Sequence, residues 1–154
     1  MTLKEGNKAP AFTLLSDSGE KVSLKDFKGK LVIIYFYPKD NTPGCTLESC
    51  DFRDSFVKLK KLNVVILGIS KDSVESHLKF KTKYKFPFPL LSDPDGKVCE
   101  LYDVWQEKML YGRKFMGIVR TTFLIGPDGK IAQVFPKVRV KGHVDALLHA
   151  LHAL

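Results

Sequence analysis

Two cysteines and an arginine are the residues through which this chain could do redox chemistry. Cys45 follows Pro38-Lys-Asp-Asn-Thr-Pro-Gly44, and Cys50 comes five residues later. Thr42-Pro43 reads as a helix start. Threonine is a good N-cap, and proline suits the first helical position, where its missing N–H would be orphaned anyway. Counting from Thr42, Cys45 is the third residue of that helix. The first turn offers unpaired backbone N–H groups and the positive end of the helix dipole, both of which favour an anion. A thiol there is expected to lose its proton more readily than free cysteine, whose pKa is about 8.5, and the thiolate is the nucleophilic form. A single cysteine can equally be a small apolar core residue. The helix entry and the second cysteine favour the reactive reading.

Arg120 stands in an otherwise apolar run, Gly117-Ile-Val-Arg-Thr-Thr-Phe-Leu-Ile125. Either it snorkels from a sheet edge to solvent or it finds an anion, because an unpaired buried guanidinium is costly. A place beside Cys45 would favour the thiolate and supply a donor to an incoming oxygen. Glu48, one turn after Cys45, either pairs with an arginine or is solvated, and it is not counted among the catalytic candidates.

The elements that must position these groups follow from pattern. Leu31-Val-Ile-Ile-Tyr-Phe-Tyr37 is a continuous apolar run, as expected of a strand buried on both faces of a parallel sheet. Pro38 ends it, and a helix from Pro43 towards Leu62 carries Leu47, Phe52, Phe56 and Leu59 as its apolar stripe. Residues 63–70 form a second buried strand. Ser70 or Asp72 caps a helix over 74–84, with Leu78 and Phe80 inward. Residues 88–91 read as a short strand, and Pro87 and Pro89 mark it as an edge strand or as the start of a strand. A short helix over 97–103 carries Cys99, residues 104–116 are irregular, and 117–125 is one strand. The turn 126–130 leads to a return strand 131–135 and a closing helix 143–152. Ahead of these, residues 12–15 and 21–24 form a hairpin around Asp17-Ser-Gly19. A βαβ unit followed by a ββα unit is the thioredoxin arrangement, here an α/β fold with an N-terminal hairpin extension and a mixed central sheet flanked by helices. It sets the cysteine at the carboxyl end of a central strand, where open α/β sheets place their sites.

Pro38-x-x-x-Thr42-x-x-Cys45 resembles the active-site signature of the peroxiredoxins, and Cys50 is similar to the resolving cysteine of their bacterioferritin-comigratory, or Q-type, branch. The likeness runs from Gly6 to His143. It implies a thiol peroxidase in which Cys45 is peroxidatic and attacks hydrogen peroxide or an alkyl hydroperoxide. Cys50 then resolves the sulfenic acid, and thioredoxin or a similar dithiol reduces the disulfide. It also implies that Thr42 contacts the thiolate and the attacked oxygen, that Pro38 shields the sulfur from water, and that Arg120 stands beside it. Five residues along an intact helix separate two Cα atoms by about 8.7 Å, beyond the roughly 4.4–6.8 Å of a disulfide. A Cys45–Cys50 bond therefore requires the helix to unwind. The chain has no cysteine after Cys99, as in peroxiredoxins that resolve within one chain, so a monomer is expected.

The 154 residues suit one domain, 1–154. No apolar run reaches membrane-span length, and the N-terminus lacks the apolar block of a signal peptide, so a cytoplasmic, reducing location is expected. The net charge of +8 comes from lysines scattered along the chain, which read as solvated faces more than as a nucleic-acid surface. His77, His143, His149, His152 and the cysteines lack a metal-ligand spacing, and no cofactor is expected. Cys99 reads as packing, with a resolving role as the lesser alternative. Two competing functions remain. A thioredoxin-like disulfide oxidoreductase is disfavoured because four residues, not two, separate Cys45 from Cys50. A basic binding or chaperone-like module would leave the thiols incidental.

Overall fold

The computed structural model describes residues 3–154. A seven-stranded mixed sheet is flanked by helices, and a two-stranded hairpin, inserted in the chain between two of its strands, forms a separate sheet. The strands of the large sheet are β1 (Thr13–Ser16), β2 (Lys21–Ser23), β3 (Leu31–Phe36), β4 (Val64–Ser70), β5 (Leu90–Ser92), β8 (Thr121–Ile125) and β9 (Ile131–Phe135); β6 (Trp105–Leu110) and β7 (Arg113–Ile118) make the hairpin. The helices are α1 (Pro43–Asp54), α2 (Phe56–Lys61), α3 (Val74–Tyr84), α4 (Lys97–Leu101) and α5 (His143–His152). The order across the large sheet is β2-β1-β5-β4-β3-β8-β9, with β3, β4 and β5 parallel and the outer pairs antiparallel. The expected βαβ and ββα halves are thus β3-α1-α2-β4 and β8-β9-α5.

Strand β3 explains why the sheet is buried on both sides. Val32, Ile34 and Phe36 face one apolar layer with Leu67, Ile69, Tyr102 and Phe123. Ile33, Tyr35 and the following Tyr37 face the other, with Cys45, Phe52, Leu59, Phe88 and Leu147. The alternation of period two sends a run with no polar member into two cores at once.

Several expected details differ. The helix from Pro43 breaks at Ser55 into α1 and α2, and Leu47 is 51% exposed while Phe52 and Leu59 are buried. On α3, His77 and Phe80 turn inward and Leu78 is exposed: His77 is held in the core by Asp40 and the Leu91 carbonyl oxygen, and Ser73 is the N-cap. In place of capping α3, Ser70 and Asp72 bond each other, and the Asp72 carboxylate also accepts from the Asp40 N–H. Of the two readings of Pro87 and Pro89, the strand start holds and the edge does not: both prolines fall before β5 begins, and the strand is internal because the N-terminal hairpin pairs its other side, Leu15 opposite Ser92 and Ser16 opposite Leu91. Residues 105–118, expected to be largely irregular, form the β6–β7 hairpin. Val119 and Arg120 then separate β7 from β8, so 117–125 is not one strand.

Candidate active site

Chain direction places the reactive end. Strand β3 delivers Tyr37, the loop 38–42 crosses the sheet's carboxyl edge, and α1 starts at Pro43. Cys45 is the third helical residue, as expected, and is buried. Thr42 has the extended backbone of an N-cap, but its hydroxyl donates to the Lys39 carbonyl oxygen at 2.8 Å and does not accept from the helix. The side-chain cap read from the sequence is therefore absent, and the hydroxyl instead tightens the loop before Cys45. Pro38 is half-buried at the start of that loop.

Arg120 reaches the sulfur. Its Nη2 donates to Cys45 Sγ at 3.2 Å and its Nη1 to Glu48 Oε1 at 2.6 Å. The snorkelling alternative is excluded, since the arginine side chain is only 15% exposed. Its position at the joint between β7 and β8, outside either ladder, frees it to cross towards α1. Burial alone would disfavour its charge, but Glu48 and Cys45 more than compensate and hold the guanidinium protonated. Gly44 leaves the room: a Cβ there would lie 3.2 Å from Arg120 Nη2.

Glu48 is the residue that sequence reasoning left undecided. It is fully buried, and its Oε2 has no hydrogen-bond partner among the described residues. Burial drives its carboxyl up to about 7, with Arg120 pulling the other way. The spacing Cys45–Glu48, i to i+3 on one helix face, was the available signal, since both then meet the same cation. Cys50 lies on α1 as a half-buried free thiol, raised first by burial and then by Asp54 and Asp51, with Arg53 opposing. Between the two cysteines, Ser49 Oγ and Tyr35 Oη are 2.9 Å apart in the core and pin the middle of the helix. His143, at the start of α5, packs edge-on against Phe52, and its Nε2 is 2.9 Å from Thr122 Oγ1. Burial, then Arg120, lower it to about 4.

The structure also gathers Asp40, Asp72 and His77, a grouping with no sequence spacing to announce it. His77 Nε2 donates to the Leu91 carbonyl oxygen at 2.9 Å and Nδ1 lies 2.8 Å from Asp40 Oδ2, while Tyr37 donates to Asp40 Oδ1 at 2.6 Å. With both ring nitrogens engaged, the cluster pins the loop before Cys45 to α3 and β5.

A buried thiol at a helix mouth under a paired guanidinium is the arrangement that the peroxiredoxin resemblance predicts, and comparison with known proteins decides the family. The AhpC/TSA family matches residues 6–134. The chain belongs to that family. The bcp protein of Coxiella burnetii is 59% identical over 151 residues, which are 98% of this chain and 100% of that one. Peroxiredoxin Bcp of Bacillus subtilis is 50% identical, covering 98% and 96%. Among solved structures, the Xanthomonas campestris bacterioferritin comigratory protein, studied for alkyl peroxide reduction, is similar with a TM-score of 0.91 at 43% identity over 97% of this chain and 98% of that one. A cysteine mutant of Xylella fastidiosa PrxQ gives 0.94 at 36%, over 99% and 98%. This peroxiredoxin is a thiol-dependent peroxidase of the bacterioferritin-comigratory, Q-type branch with the thioredoxin-like fold. None of its helices is long and apolar enough to cross a membrane, among the described residues.

Proposed function

We propose that Cys45 is the peroxidatic cysteine, that Cys50 resolves it, and that a dithiol protein such as thioredoxin completes the cycle. The contact that carries this reading is Arg120 Nη2 to Cys45 Sγ at 3.2 Å, made inside the first turn of α1. A negative charge on the sulfur is met there by a guanidinium and by helix N–H groups at once. The thiolate attacks the terminal oxygen of a hydroperoxide, an S–O bond forms as the O–O bond breaks, and the departing oxygen takes a proton to leave as water or an alcohol. Charge moves from sulfur to that leaving oxygen, and donors already in place stabilise it without reorganising. Arg120 and the Cys45 backbone N–H supply donors, Thr42 meets the attacked oxygen, and Pro38 limits water.

Cys45 is left as a sulfenic acid. The Cys50 thiol condenses with it, the S–S bond forms, and water departs. Both cysteines lie within α1, so this step needs its first turns to unwind, with release of the Arg120 contact and the Tyr35–Ser49 bond. Residues 1–154 act as one domain and as a monomer, in a reducing compartment such as the cytoplasm where thioredoxin is available. Stopped-flow peroxide consumption tests the assignment. Cys45→Ser should abolish turnover, whereas Cys50→Ser should keep the first turnover and lose thioredoxin-dependent recycling. Wild type should lose helical far-UV signal on oxidation and Cys50→Ser should not. Full recycling by Cys50→Ser would remove Cys50 from the cycle.

A further inference from the structure

The β6–β7 hairpin inverts the usual sorting of side chains. Met109, Leu110, Tyr111, Phe115 and Met116 are exposed, while Lys108 among them is half-buried. The lysine stem runs back towards the root of the hairpin, and Nζ donates to the Ile118 carbonyl oxygen at 2.9 Å. Gly117 makes that path available, since a Cβ there would lie 3.0 Å from Lys108 Cδ. Ile118 is two residues before Arg120, and the joint between them is fixed from outside the hairpin. Val119 N–H donates to the Val104 carbonyl at 2.8 Å, and the Arg120 carbonyl accepts from Val138 N–H at 2.9 Å. Burial and Arg120 disfavour the ammonium charge and Cys45 favours it, so Lys108 lies within electrostatic reach of both. One N–H is spent on Ile118, and an ammonium has three. Local rules broken in this way concentrate at functional sites.

We propose that Lys108 is a positioning residue for the peroxidase reaction: its ammonium pins the last carbonyl of β7, where the joint that carries Arg120 begins, and adds a second positive charge beside that joint. This rests on Cys45 being the attacking sulfur. Removing the charge loosens the aim of Arg120 and weakens the attraction of the site for negative charge, while a cation of similar reach restores both.

The test compares wild type, Lys108→Met, Lys108→Arg and Cys45→Ser as full-length proteins. Single-turnover oxidation by hydrogen peroxide can be followed through Trp105, the chain's one tryptophan, which pairs with Ile118 at the hairpin root. Lys108→Met keeps the apolar stem and should oxidise about three- to tenfold more slowly, the size of one partly screened charge, and Lys108→Arg should recover to within about twofold. The local charge is read separately by the ratio of Cys45 alkylation by iodoacetate, an anion, to that by neutral iodoacetamide. That ratio should fall several-fold in Lys108→Met and hold in Lys108→Arg. A structural role alone would slow both reagents and leave the ratio where it was, which would overturn the proposal. So would wild-type oxidation rates in Lys108→Met. Wild type that reacts no faster with peroxide than Cys45→Ser would overturn the peroxidatic assignment and this proposal together.

Discussion

Cys45 and Cys99 occupy the same place in two different helices. Each is the third residue after an N-cap, Thr42 for α1 and Gly96 for α4, and each is buried. Their surroundings have opposite sign. Sγ of Cys45 faces the Arg120 guanidinium. The first turn of α4 is already filled by the Asp93 carboxylate, which accepts from Cys99 N–H at 2.8 Å and from Val98 N–H at 3.3 Å. Burial, then Asp93, push the Cys99 thiol far above its ordinary range. A helix N-terminus thus provides an anion site, and the neighbouring side chains decide whether sulfur or carboxylate fills it. Position in the first turn, the basis of the sequence argument for Cys45, would have selected Cys99 equally.

Removing the charge that separates the two cysteines should have the largest effect. Arg120→Met should lower the second-order rate of Cys45 oxidation by about 10²–10³, the scale of losing one preorganised donor at a developing charge, and Arg120→Lys should recover only part of it. Cys99 alkylation should not change. Stopped-flow peroxide kinetics check the first statement and mass-resolved alkylation the second. An Arg120→Met protein within threefold of wild type would mean that the helix start alone activates Cys45.

The Cys45 region also buries two groups that titrate in opposite senses. Glu48 is raised from 4.5 to about 7, so the folded state holds its proton more tightly, and this contribution to stability is lost as pH rises from about 4.5 to 7. His143 is lowered from 6.5 to about 4, so its contribution is present above 6.5 and is lost as pH falls towards 4. The two slopes oppose each other between about 4.5 and 6.5. Urea unfolding of wild type should therefore vary little with pH there from this pair. Glu48→Gln should uncover the His143 slope, a loss of up to about 3 kcal/mol on acidification from 6.5 to 4. His143→Asn should uncover the opposite one. Superimposable profiles for all three proteins would refute both assignments.

What could be read in advance follows the same division between sign and position. Strand β3, the helix start at Thr42-Pro43 and the thioredoxin order of elements were legible because burial writes a period into the chain and proline marks a boundary. Arg120 was legible as a cation in an apolar run that had to find an anion. The β6–β7 hairpin was not, because apolar side chains lie exposed on both of its strands and leave no alternation of period two. Leu78 and Leu47 were misplaced inward because hydrophobicity alone cannot fix the phase of a helix that buries His77 or Glu48 in their stead. The Asp93 cap of α4 and the Asp40–His77 pin depend on contacts between segments distant in sequence or on loop geometry, and no local spacing records them.

The smallest expected effect isolates what Cys99 contributes. Cys99→Ala should leave peroxide turnover within about twofold, since the thiol faces Asp93 and takes no part in the Cys45 contacts, and should cost about 1 kcal/mol of stability for the lost packing. Asp93→Asn is the sharper variant. It removes the anion from the first turn of α4 while keeping an oxygen that can accept from Cys99 N–H. If Asp93 governed alone, the thiol would then alkylate at a rate approaching that of Cys45. Burial comes before Asp93 among the causes that raise this thiol, and no cation equivalent to Arg120 donates to its sulfur among the described contacts. The alkylation rate of Cys99 in native Asp93→Asn should therefore rise only modestly and stay well below that of Cys45. Reaction as fast as Cys45 would show that withdrawing one negative charge does the work assigned here to adding a positive one.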